Sequence, residues 1–192
     1  MSTERWQFST FSRLLHWTMA AMVLTMLGVG VAMVASLSNY HTLVSLHRPL
    51  GIAILVLVVV RFVNRLLNPP PPFPATMPRA ERLAATAGEY MMYGLMFLLP
   101  LVGWVMLSAA RYPVVLFGLL HLPYILPHDV KLYAVLRKAH TILAYLFILT
   151  FLAHFGAILF HTLIVRDGIL SRMGLGRSPR NPVPRPAAQF EE

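Results

Sequence analysis

The sequence of 192 residues has no cysteine and little charge: 12% of it is charged and 57% is hydrophobic. Without cysteine there are no disulfides, thiolate zinc sites, iron–sulfur clusters, thiol nucleophiles or covalent c-type haem attachment. A soluble domain carries roughly a quarter charged residues. Half that fraction does not cover a soluble surface, and so apolar a chain is not disordered either. Acidic residues are the scarcest charges, 7 against 16 Lys and Arg, for a net charge of +9. In a soluble protein that excess would point to nucleic acid. Here the placement of the cations matters more than their sum.

What the chain does contain is four long apolar runs. A spanning helix needs about 20 mostly apolar residues to cross a hydrocarbon core about 30 Å thick. Four stretches qualify, at about 14–37, 43–67, 88–110 and 139–165. Their only acidic residue is Glu89, and their only Lys or Arg residues are Arg48, Arg61 and Arg65, all near helix ends. The first run is too long for a signal-peptide core and has no clean cleavage site, so it reads as a retained helix. The predicted fold is all-α: an integral membrane four-helix bundle, with a transmembrane domain at 1–173 and a disordered Pro/Arg-rich tail at 174–192. Pro69 to Pro72 and Pro74 make the connector Asn68–Pro78 stiff and extended. The apolar loop Val114–Leu126 is too short to span and is expected to lie against the outer interface. Pro100 is expected to kink the third helix, and Gly28, Gly30 and Gly51 to serve close packing. The sequence shows no internal repeat.

Orientation follows from Lys and Arg near the helix ends. Eleven, including Arg13, Arg61, Arg79 and Arg166, fall on one side; five, Arg48, Arg111, Lys131, Arg137 and Lys138, fall on the other. The first side is therefore expected to be cytoplasmic, with both termini inside. The cations then report topology, and nucleic acid is not expected as a partner.

The eight histidines are unevenly placed. His140 and His154 lie 14 residues apart on the fourth helix. That separation is about 21 Å along the axis, and the two residues return to within about 40° of one face. His16, near the inner end of helix 1, matches the depth of His154. His47, near the outer end of helix 2, matches His140. Neutral imidazole is a common metal ligand. Two histidines from facing helices are too few for a closed zinc site, which wants four protein ligands. They suffice for a planar macrocycle that brings its own four, so haem fits better. With both axial positions filled, such a haem moves electrons rather than binding oxygen. Two stacked haems would make an electron path across the bilayer. Arg13 and Arg61 lie near the inner level and Arg48 and Arg111 near the outer one, as candidate contacts for anionic propionates. His161 shares the face of His154 nearer the inner surface, where it would meet a quinone head group or cap the helix. His41, His121 and His128 read as interfacial loop residues.

These residues resemble the bacterial cytochrome b561 family. The resemblance rests on Leu15-His16-Trp17, on His47 with Pro49 and Gly51, on Val60-Arg61-Phe62, on Leu99-Pro100-Leu101-Val102-Gly103, and on Lys138-Ala139-His140-Thr141 with His154. No single piece is specific; the ordered set over about residues 9–173 is. It implies an inner-membrane protein holding two haems b, with His16, His47, His140 and His154 as axial ligands and ubiquinone as an exchangeable electron acceptor or donor. Some members oxidise superoxide at the periplasmic face and reduce ubiquinone; others are thought to exchange electrons with periplasmic partners. The outer basic set suits either a small anion such as superoxide or an acidic redox protein. Two alternatives stand beside a superoxide:ubiquinone oxidoreductase. One is a haem-bearing anchor subunit passing electrons between quinone and a hydrogenase or dehydrogenase. The other is a haem-free transporter, although these usually show repeats or interrupted helices.

Overall fold

The computed structural model describes residues 7–74, 76–116 and 118–174. The tail read as disordered therefore lies almost wholly outside the described residues. Four long helices form, at Thr10–Ala35 (α1), Tyr40–Leu67 (α2), Arg79–Ala109 (α3) and Val130–Phe160 (α4). A turn of π-helix, His161–Val165, extends α4, and a short helix α5 follows at Ile169–Met173. All four long helices are apolar enough to cross a membrane, so the chain is a multi-pass membrane protein whose partners include the lipid bilayer.

Helices α3 and α4 each begin nine residues before the apolar stretch that marks them. Hydropathy registers the hydrocarbon layer, whereas the helix start is fixed by capping. At α4 the Asp129 carboxylate accepts from the amides of Lys131 at 2.9 Å and Leu132 at 3.0 Å, satisfying backbone donors that the helix leaves unpaired. At α1 the Ser9 hydroxyl accepts from the Ser12 amide. The proline-rich connector between α2 and α3 stays irregular. The loop expected to lie against the outer interface forms an antiparallel hairpin, with β1 at Val114–Leu116 and β2 at Leu120–Leu122. Leu116 is buried there while Leu119 is 87% exposed.

Beyond this hairpin, the loop residues tie off the outer end of α3. Arg111 takes a left-handed conformation (φ 58°), which lets the Tyr112 amide donate back to the Leu107 carbonyl. The Ser108 hydroxyl accepts from the Ile125 amide at 2.8 Å. The Asp129 amide and His128 Nδ1 both approach the Ala109 carbonyl at 3.0 Å. His128, expected to be an interfacial loop residue, therefore caps α3.

Successive helices pack side by side, α1 along α2, α2 along α3 and α3 along α4, while α4 stands further from α1 and α2. Large apolar side chains such as Val31, Val56, Leu149 and Leu152 point outward on every helix, the inverse of a soluble bundle. The buried core is a layer at mid-height built from Met19, Val23, Ile54, Val58, Leu95, Met96 and Phe147. A Cβ added at Gly51 would meet Met26 Cε across the α1–α2 contact at 3.6 Å, and one at Gly28 or Gly30 would meet nothing within 4 Å.

Candidate functional site

The apolar layer separates two polar levels. At the outer level, seven residues into α2 and ten into α4, the rings of His47 and His140 face each other edge to face, with centroids 6.3 Å apart. The His140 ring lies against α3 at Gly103, where a Cβ would sit in ordinary contact, 3.4 Å from Cε1 and 3.6 Å from Nδ1 of His140. The Leu99 carbonyl, one turn earlier, also borders that ring. Arg48 follows His47 directly and donates to the Pro113 carbonyl at 3.3 Å, tying α2 to the hairpin. Arg111 stacks over Tyr124 at 5.1 Å.

At the inner level, His16 on α1 lies within electrostatic range of His154 on α4, and Arg61 on α2 acts on both. Trp17 packs edge-on to His16 at 5.5 Å, and its indole N–H donates to the Met173 carbonyl. Arg13 bonds elsewhere: Nη1 reaches the Gly174 carbonyl at 2.6 Å and Nη2 the Thr10 hydroxyl. Arg13 and Trp17 thus hold the segment after α4 over the inner end of α1. The Phe8 amide bonds the Arg172 carbonyl, and buried Arg172 donates to the Pro71 and Pro72 carbonyls. His161 is engaged as well, with Nδ1 2.6 Å from an Asp167 carboxylate oxygen.

The structure therefore brings together His47 with His140, and His16 with His154 and Arg61. Arg48 neighbours the outer pair, while Arg13 and Arg111 make other contacts. Sequence reasoning did not single out Gly103, whose role shows only once a ring lies against it. It also missed the pairing of Glu89 with Arg65, which needs the facing of α2 and α3.

Do these residues suit a haem? Buried polar atoms are normally hydrogen-bonded, yet Nδ1 of His47, Nδ1 of His140, Nε of Arg48 and Nη1 of Arg61 are buried and have no partner among the described residues. They are imidazoles and guanidinium edges, the groups an iron porphyrin and its propionates would use. An iron about 2 Å from a nitrogen of each of two opposed imidazoles sets the ring centroids about 6 Å apart, the spacing of the His47–His140 pair. Among the described residues no three His, Asp or Glu side chains gather into one metal-binding group. Each level offers two imidazoles, the number of positions a macrocycle leaves open. The donor set fits.

Comparison with known proteins points the same way. Residues 7–176 match the family described as prokaryotic cytochrome b561. Cytochrome b561 homolog 2 of Escherichia coli (strain K12) is 32% identical over 177 residues, covering 90% of this chain and 93% of that protein. A probable superoxide oxidase CybB of Yersinia pestis is 32% identical over 129 residues, covering 67% of this chain and 72% of that protein.

Proposed function

Because the chain belongs to the prokaryotic cytochrome b561 family, whose members bind b-type haem and transfer electrons in membranes, we propose that it holds two haems and carries electrons across the bacterial inner membrane from superoxide to ubiquinone. The observation that carries this reading is the 6.3 Å opposition of His47 and His140, with His16 and His154 forming a second pair 14 residues along the same helix. When bound, each haem would supply a reversible one-electron iron centre.

The protein residues do the rest. His47 and His140 hold the outer haem, and His16 and His154 hold the inner one. Arg48, with its buried unpartnered Nε, would serve the outer propionates, and Arg61, with its buried unpartnered Nη1, the inner ones. The cationic rim, Arg48, Arg111, Lys131, Arg137 and Lys138, draws superoxide to the periplasmic face. There superoxide loses one electron and leaves as dioxygen. Two such electrons and two protons convert ubiquinone to ubiquinol at the inner level. His161 lies there with Nδ1 tied to Asp167, which leaves its other ring nitrogen for a quinone oxygen. The excess of Lys and Arg at the opposite helix ends supports cytoplasmic termini.

Similarity to a probable superoxide oxidase supports the choice of donor. The test is a pyridine haemochrome assay on the purified protein, expected to give two haems per chain. One haem per chain with all four histidines intact would refute the two-site assignment.

A further inference from the structure

We infer that Glu89 is the proton-accepting partner of the inner electron site: it takes up a proton from the cytoplasmic side as the electron arrives and releases it as the electron leaves. The inference rests on the two-haem reading and adds to it a residue and a coupling.

Glu89 is the only carboxylate in the apolar stretches of the four spans, where ionisable groups are costly and usually functional. It is not adrift in lipid. Two rungs join α2 to α3 at the inner end. Arg65 pairs with Glu89 at 2.5 Å, and one turn deeper Arg61 Nε donates to the Tyr93 hydroxyl at 3.1 Å. The charged and titratable groups facing Glu89 are Arg65 and Arg61 from α2, with Tyr93 and Tyr90 beside it on α3; Tyr90 lies under the Arg65 guanidinium. From α1 the facing group is the neutral Ser12. Arg61 is the link. The same guanidinium acts on His16, on His154 and on Glu89.

These rungs border a cavity that Glu89 shares with Arg61, Asn64 and Asn68. Buried Asn64 donates to the Ser12 hydroxyl at 2.7 Å and accepts from Asn68 at 3.0 Å. Asn68 is exposed at the inner surface. Polar side chains therefore line the cavity between exposed Asn68 and the carboxylate.

The physical need is charge balance. An electron added inside a low-dielectric bundle raises the cost of any anion nearby. Arg61 feels both the electron site and Glu89, so drawing Arg61 toward one weakens its hold on the other. Protonating Glu89 removes the conflict. The step balances as one electron from the outer haem and one proton from the cytoplasm, giving a reduced iron centre and a neutral carboxyl group.

The experiment is potentiometric titration of both haems in purified, haem-loaded protein across neutral pH. One proton per electron changes the equilibrium tenfold per pH unit, about 59 mV for a one-electron couple. The inner haem is expected to approach that slope over part of the range, while the outer haem stays nearly flat. Glu89→Gln should flatten the inner slope without altering the outer potential, and Glu89→Asp, which keeps a titrating carboxyl, should retain it. An inner slope absent in the wild type, or preserved in Glu89→Gln, would overturn the inference. If Glu89→Gln does not hold the inner haem, the reduced-minus-oxidised infrared spectrum of the wild type and of Glu89→Asp decides. A protonated-carboxyl band that shifts between them supports the role, and its absence overturns it. A chain with one haem would overturn the two-haem reading instead, and the stoichiometry reveals that before any pH is varied.

Discussion

Replacing Gly103 tests the outer site without touching a ligand. The Cβ of an alanine there would lie 3.4 Å from His140 Cε1, at the near edge of ordinary contact. Alanine should therefore be accommodated, and it is up to about 1 kcal/mol better than glycine in a helix interior. Valine is different. Its two methyl carbons reach about 1.5 Å beyond Cβ, and one turned toward the ring would fall well inside the carbon contact distance of about 3.5–4.0 Å. Overpacking of this kind costs about 1–3 kcal/mol. If that cost falls on the liganding position of His140, affinity for the outer haem drops about 5- to 150-fold. The assay titrates haem into apoprotein of wild type, Gly103→Ala and Gly103→Val, following the reduced spectrum and the haem-to-protein ratio. Alanine should match wild type. Valine should weaken or lose the outer haem and leave the inner one, about 21 Å away along α4. A valine variant with two haems of wild-type affinity would refute the view that α3 seats the His140 ring. Equal loss of both haems would mean that the substitution disrupts the bundle rather than the site.

Two further tests concern the histidines and the outer cations. His16→Ala and His154→Ala should each remove the same haem and share one reduced spectrum, and His47→Ala and His140→Ala should each remove the other; identical losses from His16→Ala and His47→Ala would refute assignment by depth. Haem reduction by superoxide in stopped flow should slow as salt rises, because exposed charges act within about 8–10 Å at ordinary ionic strength. Arg137→Gln with Lys138→Gln should slow it and flatten its salt dependence while leaving the haem spectra unchanged. Rapid reduction by a quinol with none by superoxide at low salt would reverse the proposed direction of flow.

The four spans were legible because a hydrocarbon layer imposes length and composition directly on the sequence. The helix ends were not, because Asp129 and Ser9 fix them through capping hydrogen bonds that carry no hydropathy. The face shared by His140 and His154 follows from helical periodicity alone, so it could be read in one dimension. What borders those rings could not. Gly103 has no side chain to announce its purpose, and Leu99 contributes only a carbonyl. The Arg65–Glu89 pair was visible as two charges near helix ends, and its partnership depended on how α2 turns against α3. Sequence left His128 as one loop histidine among three, since capping the last carbonyls of α3 requires the α3–α4 loop to fold back on the helix.

Both candidate sites draw on α4, the last long helix among the described residues, and each takes its other histidine from a helix made much earlier. During synthesis α1 and α2 are made with His16 and His47 unmatched, and neither meets its opposed imidazole until α4 follows. An unfinished chain therefore offers no enclosed berth for an iron porphyrin. Neither pair can form from the first three helices alone. The clasp of Arg13 and Trp17 on the segment after α4 carries the same order one step further: the inner end closes only when almost the entire described chain has emerged.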